Sequence, residues 1–303
     1  MAGYKRAMII INPAAGKSEP VLSVLNDVLG PAKIDWEVAI THQSGDGVVA
    51  ARKAIAEGFD LIGVYGGDGT VAEVASALAE GGPPLLLLPG GTGNALADDL
   101  GIPPALADAV ALAVEGGSDI RRIDMGRAGD AYFVLRLTMG IEAALVGSAT
   151  RELKDRLGWL AYVVAGVQAL ADPTVAEYTV TVDDESYVVE GVAAMIANSA
   201  SVGHLAGVQF APGVDLSDGC LDVVVVETAG LPSLLGSAAE AAQGQEPSGV
   251  RRWSGSRISV EAKPAQVILA DGEESGTTPV DVTVIPGAVS VLVPRQQSPE
   301  DMP

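Results

Sequence analysis

Gly66-Gly67-Asp68-Gly69-Thr70 constrains the chain more than any other segment. An apolar run, Phe59 to Tyr65, precedes it, and a run with helical character, Val71 to Ala79, follows. That order reads as a buried strand, a tight turn and a helix N-terminus. Glycines let the backbone approach a ligand without Cβ atoms in the way. The free N–H groups of a first helical turn and the positive end of its dipole favour phosphate. An aspartate inside such a turn repels a bare phosphate. It makes sense if a metal ion or a reacting hydroxyl lies between them, so the turn points to phosphoryl transfer.

The first third of the chain repeats the pattern. Strands are expected at Ala7–Ile11, Trp36–Ile40, Leu61–Tyr65 and Leu85–Leu88. Helices are expected at Val21–Leu29, Gly47–Glu57, Thr70–Ala79, Thr92–Leu100 and Ala105–Glu115. Alternation with short loops predicts a mostly parallel sheet covered on both faces, with ligands beyond the carboxyl ends of the strands. From Asp119 the pattern turns β-rich: Ile120–Gly126, Tyr132–Leu137, Glu177–Val182, Tyr187–Ala197, Leu221–Val226, Ile258–Glu261, Gln266–Leu269 and Val280–Val284. A long helix over Ala149–Ala171 and a shorter one over Pro232–Ala242 interrupt it. The expectation is an α/β N-terminal domain, residues 1–126 with a return strand in 287–303, and a β-rich antiparallel sandwich-like domain, residues 127–286. The ending Arg295–Pro303 reads as disordered.

Composition excludes several classes. With 18 basic and 39 acidic residues the formal charge is −21, which argues against a nucleic-acid partner and against constitutive binding to anionic membranes. The single cysteine, Cys220, rules out an intramolecular disulfide and suggests a reducing compartment. Two histidines, His42 and His204, leave little room for a His-based metal site. No secretory leader is evident at the N-terminus. The longest apolar stretch, Leu157–Ala171, is short for a membrane span and reads as a buried or cleft-lining helix. The expected location is cytoplasmic, with peripheral membrane contact as an open option.

Three further turns belong to the strand ends. Asn12-Pro13-Ala14-Ala15-Gly16-Lys17-Ser18 lacks the glycine a Walker motif needs at position 11, which is Ile11. Asn12 remains a nucleotide candidate because it lies on the ligand rim. Thr41 ends the second strand before Gly45-Asp46-Gly47, where a hydroxyl can donate to phosphate or ribose. Pro89-Gly90-Gly91-Thr92-Gly93-Asn94-Ala95-Leu96-Ala97 closes the fourth strand, again with glycines and a hydroxyl at a helix start. Two such turns on neighbouring strands make a phosphate cradle with two walls. Gly67-x-Gly69-x-x-Ala72 fits a loose dinucleotide fingerprint, but no acidic residue stands about twenty positions on, which demotes a redox enzyme.

These turns, with Gly101-Ile102-Pro103, Ile123-Asp124-Met125-Gly126, Ala211 to Asp222 and Ala270-Asp271-Gly272-Glu273, resemble the diacylglycerol kinase catalytic domain family, which includes bacterial lipid kinases and sphingosine kinases. The resemblance covers nearly the whole chain in order. It implies that Thr41, Gly66, Gly67, Asp68, Gly69, Thr70, Val71, Ala72 and Thr92, with Gly93 and Asn94 of the same turn, contact ATP. It implies Glu273 as the general base toward a lipid hydroxyl, and Asp68 and Asp124 as organisers of a catalytic Mg2+. A second Mg2+ is implied at Asp218 with the carbonyls of Asp215 and Cys220. Ala95 stands where many relatives carry aspartate, a difference that bears on substrate class. An asparagine common in the family is not evident in Phe133-Val134-Leu135-Arg136.

The expected activity is transfer of the ATP γ-phosphate to a lipid, diacylglycerol or a related one, in the cleft between the domains, with the lipid met transiently at a membrane surface. Two alternatives stay open: a kinase for a soluble acceptor such as NAD, and a nucleotide-binding regulator without turnover. A homodimer is also open. Trp159 and Tyr162 on the apolar helix could line an acyl groove, though a core helix is the better reading. Arg251-Arg252-Trp253 could dock a headgroup, and a loop-edge cluster is as ordinary.

Overall fold

The computed structural model describes residues 3–15, 19–114, 116–140, 175–199, 201, 213–227 and 249–295. The expected helices over Ala149–Ala171 and Pro232–Ala242 lie outside them, as do Gly16, Lys17, Ser18, His204 and residues 296–303. The chain divides into two compact units, Met1–Ile123 with Gly287–Pro303, and Asp124–Pro286.

The first unit alternates strand and helix: β1 (Arg6–Ile11), α1 (Val21–Leu29), β2 (Asp35–Ile40), α2 (Asp46–Ala56), β3 (Leu61–Gly66), α3 (Asp68–Leu78), β4 (Leu85–Pro89), α4 (Ala95–Asp99) and α5 (Leu106–Ala111). The strands are parallel in the order β2-β1-β3-β4. Every residue of β3 and β4 is buried, as expected of strands covered on both faces. Ile9, Ile10, Leu61, Ile62 and Leu85–Leu87 form the core with Leu25 and Leu29 of α1. Because all these strands run the same way, their carboxyl ends, Ile11, Ile40, Gly66 and Pro89, open on one rim.

Two strands run on from one unit into the other, β5 (Ser118–Ala128) and β15 (Val280–Pro294). Within the first unit, Val291 of β15 pairs parallel with Leu85. Arg122 of β5 donates from Nε and Nη2 to the Gly287 carbonyl at 3.1 and 2.8 Å.

The second unit contains β6 (Ala131–Phe133), β7 (Arg136–Met139), β8 (Ala176–Val182), β9 (Glu185–Ala197), β10 (Leu221–Glu227), β11 (Val250–Gly255), β12 (Arg257–Lys263), β13 (Val267–Ala270) and β14 (Glu273–Thr277). Among the described residues each of these pairings is antiparallel. The long β9 is shared: its first half pairs with β8 and its second half with β7 and β10. Gly191 marks the changeover, where a Cβ would lie 2.7 Å from the Val226 carbonyl oxygen. Phe133, Leu137, Tyr178, Val180, Ile196, Val223, Val225 and Val260 share one core.

Three local expectations change. Tyr132–Leu137 is two strands, β6 and β7, because the backbone at 134–136 turns to meet a carboxylate described below. The helix expected over Thr92–Leu100 is the shorter α4, because Gly91–Asn94 form a turn of their own. Arg251-Arg252-Trp253 lies within a strand, β11, rather than at a loop edge.

Candidate active site

The site is built first from the turn between β3 and α3. Gly67 caps α3 in extended backbone, and the first helical bond runs from the Val71 N–H to the Gly67 carbonyl. The amides of residues 68–70 therefore lie in the first turn, where a helix offers N–H groups to a ligand. Open space surrounds the place where Gly69 would carry a Cβ. Thr70 is buried, and its Oγ1 accepts a hydrogen bond from Asn12 Nδ2 at 2.9 Å. Asn12 also donates its N–H to the Tyr65 carbonyl and accepts from Ala14 N–H at Oδ1. Asn12 and Thr70 thus join the turn after β1 to α3.

The second turn packs directly on the first. Gly90 and Gly91 both donate to the Gly66 carbonyl at 3.1 Å. A Cβ on Gly90 would lie 2.8 Å from the Tyr65 ring, one on Gly91 would overlap Gly67 Cα, and one on Gly93 would lie 2.5 Å from Asp68 Oδ2. Backbone-to-backbone contact requires glycine at Gly91, and the Tyr65 ring and the Asp68 carboxylate crowd Gly90 and Gly93. Asn94, at φ +51°, closes the turn through its own side chain: Oδ1 accepts from Gly91 N–H at 3.0 Å and Nδ2 donates to the Gly91 carbonyl at 2.8 Å. Asp68 Oδ1 accepts the Ala95 N–H at 2.7 Å, so this carboxylate clamps the start of α4. Ala95 is buried. Thr92 is exposed at the tip, and Val71 and Ala72 sit in the first turns of α3.

On the third strand end, Thr41 is buried and donates from both N and Oγ1 to the Ile11 carbonyl, at 3.0 and 3.5 Å. Asp46 Oδ2 accepts from His42 N–H and Gln43 N–H at 2.8 and 3.1 Å, and these amide bonds hold its carboxyl below the usual range.

In the second unit the hairpin between β13 and β14 carries the predicted base. Asp271 and Gly272 both take positive φ, +47° and +92°, the conformation of a tight two-residue hairpin. Asp271 Oδ1 accepts from Leu135 N–H and Arg136 N–H at 3.0 and 2.9 Å, and Oδ2 from Val134 N–H at 2.7 Å. Its own N–H donates to the Arg136 carbonyl at 2.9 Å. Burial pushes the carboxyl up, opposed by those three amides and by the Arg136 charge. Glu273, opposite Ala270 at the start of β14, is exposed.

A third cluster surrounds the 213–220 loop. Asp124 is only 2% exposed. Its N–H donates to the Leu216 carbonyl at 2.6 Å and its Oδ2 accepts from Gly219 N–H at 2.7 Å. Asp215 Oδ1 accepts from Ser217 N–H at 3.0 Å, and Asp218 Oδ1 from Cys220 N–H at 2.9 Å. Burial raises the Asp218 carboxyl above its usual range; the Cys220 amide opposes this, and the charges of Asp222, Asp215 and Asp124 add to it. The structure thus brings Asp124, Asp215 and Asp218 together, with Cys220 beside them. Three like charges and oxygen donors suit a hard cation such as Mg2+. Yet among the described residues no three His, Cys, Asp or Glu side chains converge as a ligand set, so any such site takes part of its shell from backbone carbonyls and water.

Asn198 is the residue that inspection of the sequence misses. It is fully buried, and Nδ2 bridges the carbonyls of Asp124 and Val134 at 2.8 Å each. Its backbone N–H and that of Ser199 both bond the Leu135 carbonyl. It therefore ties the acidic loop to the segment Asp271 clamps. No local motif marks it, since it lies 74 residues from Asp124.

Arg251, Arg252 and Trp253 lie in β11, and each side chain already has a partner. Arg252 Nε meets Asp222 Oδ1 at 2.9 Å, both largely buried. Arg251 lies 3.9 Å from Glu227 and over the Trp253 ring, which stacks on Tyr187 at 5.0 Å. The cluster is part of the sheet rather than a free basic edge.

Residues 6–128 match the diacylglycerol kinase catalytic domain family, and residues 136–293 match the YegS C-terminal NAD kinase beta sandwich-like domain. The chain is 31% identical to the protein named "Probable lipid kinase YegS-like" of Pseudomonas aeruginosa (strain UCBPP-PA14), over 85% of this chain and 84% of that one. It is 28% identical to the diacylglycerol kinase of Bacillus subtilis (strain 168), over 97% and 98%. A crystal structure from Bacillus anthracis str. Sterne aligns with a TM-score of 0.83 at 24% identity, covering 100% of this chain and 98% of that one, and shares the fold. Among the described residues no helix is long and apolar enough to cross a membrane.

Proposed function

The chain belongs to the diacylglycerol kinase catalytic domain family, with a YegS-type C-terminal domain, and from that premise we propose that it is an ATP-dependent lipid kinase, transferring the γ-phosphate to a lipid hydroxyl. One observation carries the reading: two glycine turns on adjacent parallel strands pack backbone against backbone beside the first turn of α3. That arrangement offers rigid amides to phosphate, and rigidity matters because phosphoryl transfer is catalysed chiefly by positioning and charge stabilisation.

In this reading the α3 amides hold the phosphates, Thr92 donates from the exposed tip, and Asn12 and Asn94 keep the turns in place. Mg2+, when bound, would neutralise phosphate charge, and Asp68 is the carboxylate of the first unit that would hold it. Asp218 and the carbonyls beside it would hold a second ion that offsets the crowding of the acidic loop. Glu273 accepts the proton of the lipid hydroxyl as its oxygen attacks phosphorus and ADP leaves. Glu273 is exposed, so in this reading the acceptor hydroxyl must come within hydrogen-bond reach of it for the carboxylate to act.

The test is purified protein with labelled ATP, Mg2+ and a panel of diacylglycerol, monoacylglycerol, ceramide, sphingosine and NAD. A phosphorylated lipid supports the proposal. Product from NAD with every lipid silent replaces it with a soluble-acceptor kinase. ATP binding without any product replaces it with a regulator. Glu273→Gln should abolish transfer and leave ATP affinity intact; retained turnover removes Glu273 from the base role.

A further inference from the structure

α3 does more at the rim than present its own amides. Thr70 and Glu73 are three residues apart and so share one face of the helix. Thr70 receives Asn12 from the turn after β1. Glu73 receives two amides from the turn after β2: Gly45 N–H reaches Oε1 and Gly47 N–H reaches Oε2, each at 2.9 Å. Gly45 caps α2, and Gly47 is in its first turn. The N-terminus of a helix attracts anions, and here the anion is the protein's own. The fit is close, since a Cβ on Gly47 would lie 2.7 Å from Glu73 Oε2. Asp46 places a second carboxylate in the same turn. By composition Gly45-Asp46-Gly47 looks like another phosphate turn. Two carboxylates already serve its amides.

We infer that Glu73 is a positioning residue for nucleotide binding. It fixes the 42–47 turn, and with it the strand end at Thr41, against α3, and it leaves phosphate to the N-terminus of α3 itself. The inference rests on the ATP-binding reading above. The sign of the effect separates it from simple electrostatics. A carboxylate acting only through its charge repels ATP, so removing it would tighten binding. A carboxylate that holds the rim in place does the opposite.

The experiment compares wild type with Glu73→Ala, Glu73→Gln and Gly47→Ala, measuring Mg-ATP affinity by calorimetry and hydrogen exchange at the Gly45 and Gly47 amides. Glu73→Ala should weaken ATP binding by about tenfold, the loss expected for charge-assisted hydrogen bonds that set geometry, and both amides should exchange faster. Glu73→Gln keeps one acceptor and should fall between. Gly47→Ala should reproduce Glu73→Ala, because its Cβ displaces the carboxylate; it also keeps the inference testable if Glu73→Ala does not fold. Unchanged or tighter ATP binding in folded variants overturns the inference, even if the melting temperature falls, since that result describes a structural cap alone. A wild type that binds no nucleotide overturns the kinase reading as well; wild-type binding with indifferent variants overturns this inference only.

Discussion

Asp271 is the side chain whose removal the geometry prices most clearly. Its two oxygens accept three amides, from Val134, Leu135 and Arg136, and Val134 and Leu135 are buried. In Asp271→Ala those donors lose their acceptor, at about 1–3 kcal/mol for each buried group left unsatisfied. The substitution also places alanine at φ +47°, a conformation that aspartate tolerates better, which adds about 1–2 kcal/mol. Removing a buried charge returns part of this, because burial already disfavours the ionised carboxyl. The net expectation is a loss of about 3–5 kcal/mol, a large fraction of the roughly 5–15 kcal/mol that holds a domain folded.

Asp271→Asn separates the parts of that sum. Asparagine tolerates positive φ, and its Oδ1 can still serve Leu135 and Arg136. Its NH2 then faces the Val134 N–H, donor against donor, and the expected loss is about 1–3 kcal/mol, that of one unsatisfied amide. Urea denaturation of both variants gives the totals. Hydrogen exchange at residues 134–136 gives the location. Because Glu273 lies two residues beyond the anchor, turnover should fall in Asp271→Asn while ATP affinity holds. An Asp271→Ala protein within about 1 kcal/mol of wild type would refute the account, since it would mean the amides find water at no cost.

Three other changes follow from the same geometry. Gly91→Ala sets a Cβ on Gly67 Cα; the turns must separate, with about 1–3 kcal/mol of overpacking and a loss of ATP affinity, read by denaturation and calorimetry. Arg252→Ala leaves Asp222 buried and unpaired, and urea denaturation should show an unfolding free energy lower by about 3–5 kcal/mol. Asp218 titrates above its ordinary 3.8 in the fold; its contribution is therefore favourable below that value and lost as pH rises through the folded one. Asp218→Asn without divalent cations should then melt higher than wild type at pH 7, with the gap closing on acidification toward pH ~4. If the loop holds Mg2+, added Mg2+ should raise the melting temperature of wild type more than that of Asp218→Asn.

The fold class is legible because its signals are local. Three of the four parallel strands, β1, β3 and β4, are short apolar runs, and Val21–Leu29 is a helix with the boundaries its periodicity predicts. The β-rich second half follows from alternation in segments such as Glu177–Val182. β14 escapes notice because Glu273-Glu274-Ser275-Gly276-Thr277 has neither apolar alternation nor β propensity; its pairing with β13 makes it a strand. Residues 250–255 escape for a related reason: Arg252 is in a sheet because its charge is met by buried Asp222, and no window around Arg252 contains that fact.

The chemistry is harder to read than the fold because one side-chain type serves two purposes here. Carboxylates in this acidic chain repeatedly accept backbone amides distant in sequence: Asp60 from Lys5 and Arg6, Asp68 from Ala95, Glu73 from Gly45 and Gly47, Asp124 from Gly219, Asp183 from Ser256 and Arg257, Asp271 from Val134 to Arg136. An amide acceptor and a metal ligand are the same residue in a sequence and differ only in what faces the oxygen. A glycine turn therefore identifies where phosphate can approach, since close approach is a backbone property visible in the residue type. The aspartate within it does not by itself reveal its role: Asp68 could hold a metal, move a proton or clamp α4, and only the Ala95 amide at 2.7 Å makes the last a fact. Glu273 stands apart from this set as an exposed carboxylate next to an anchored one, Asp271. If Glu273 is the base proposed above, its aim depends on that anchored neighbour, and Asp271→Asn is the substitution that loosens the hairpin while leaving the Glu273 carboxylate in place.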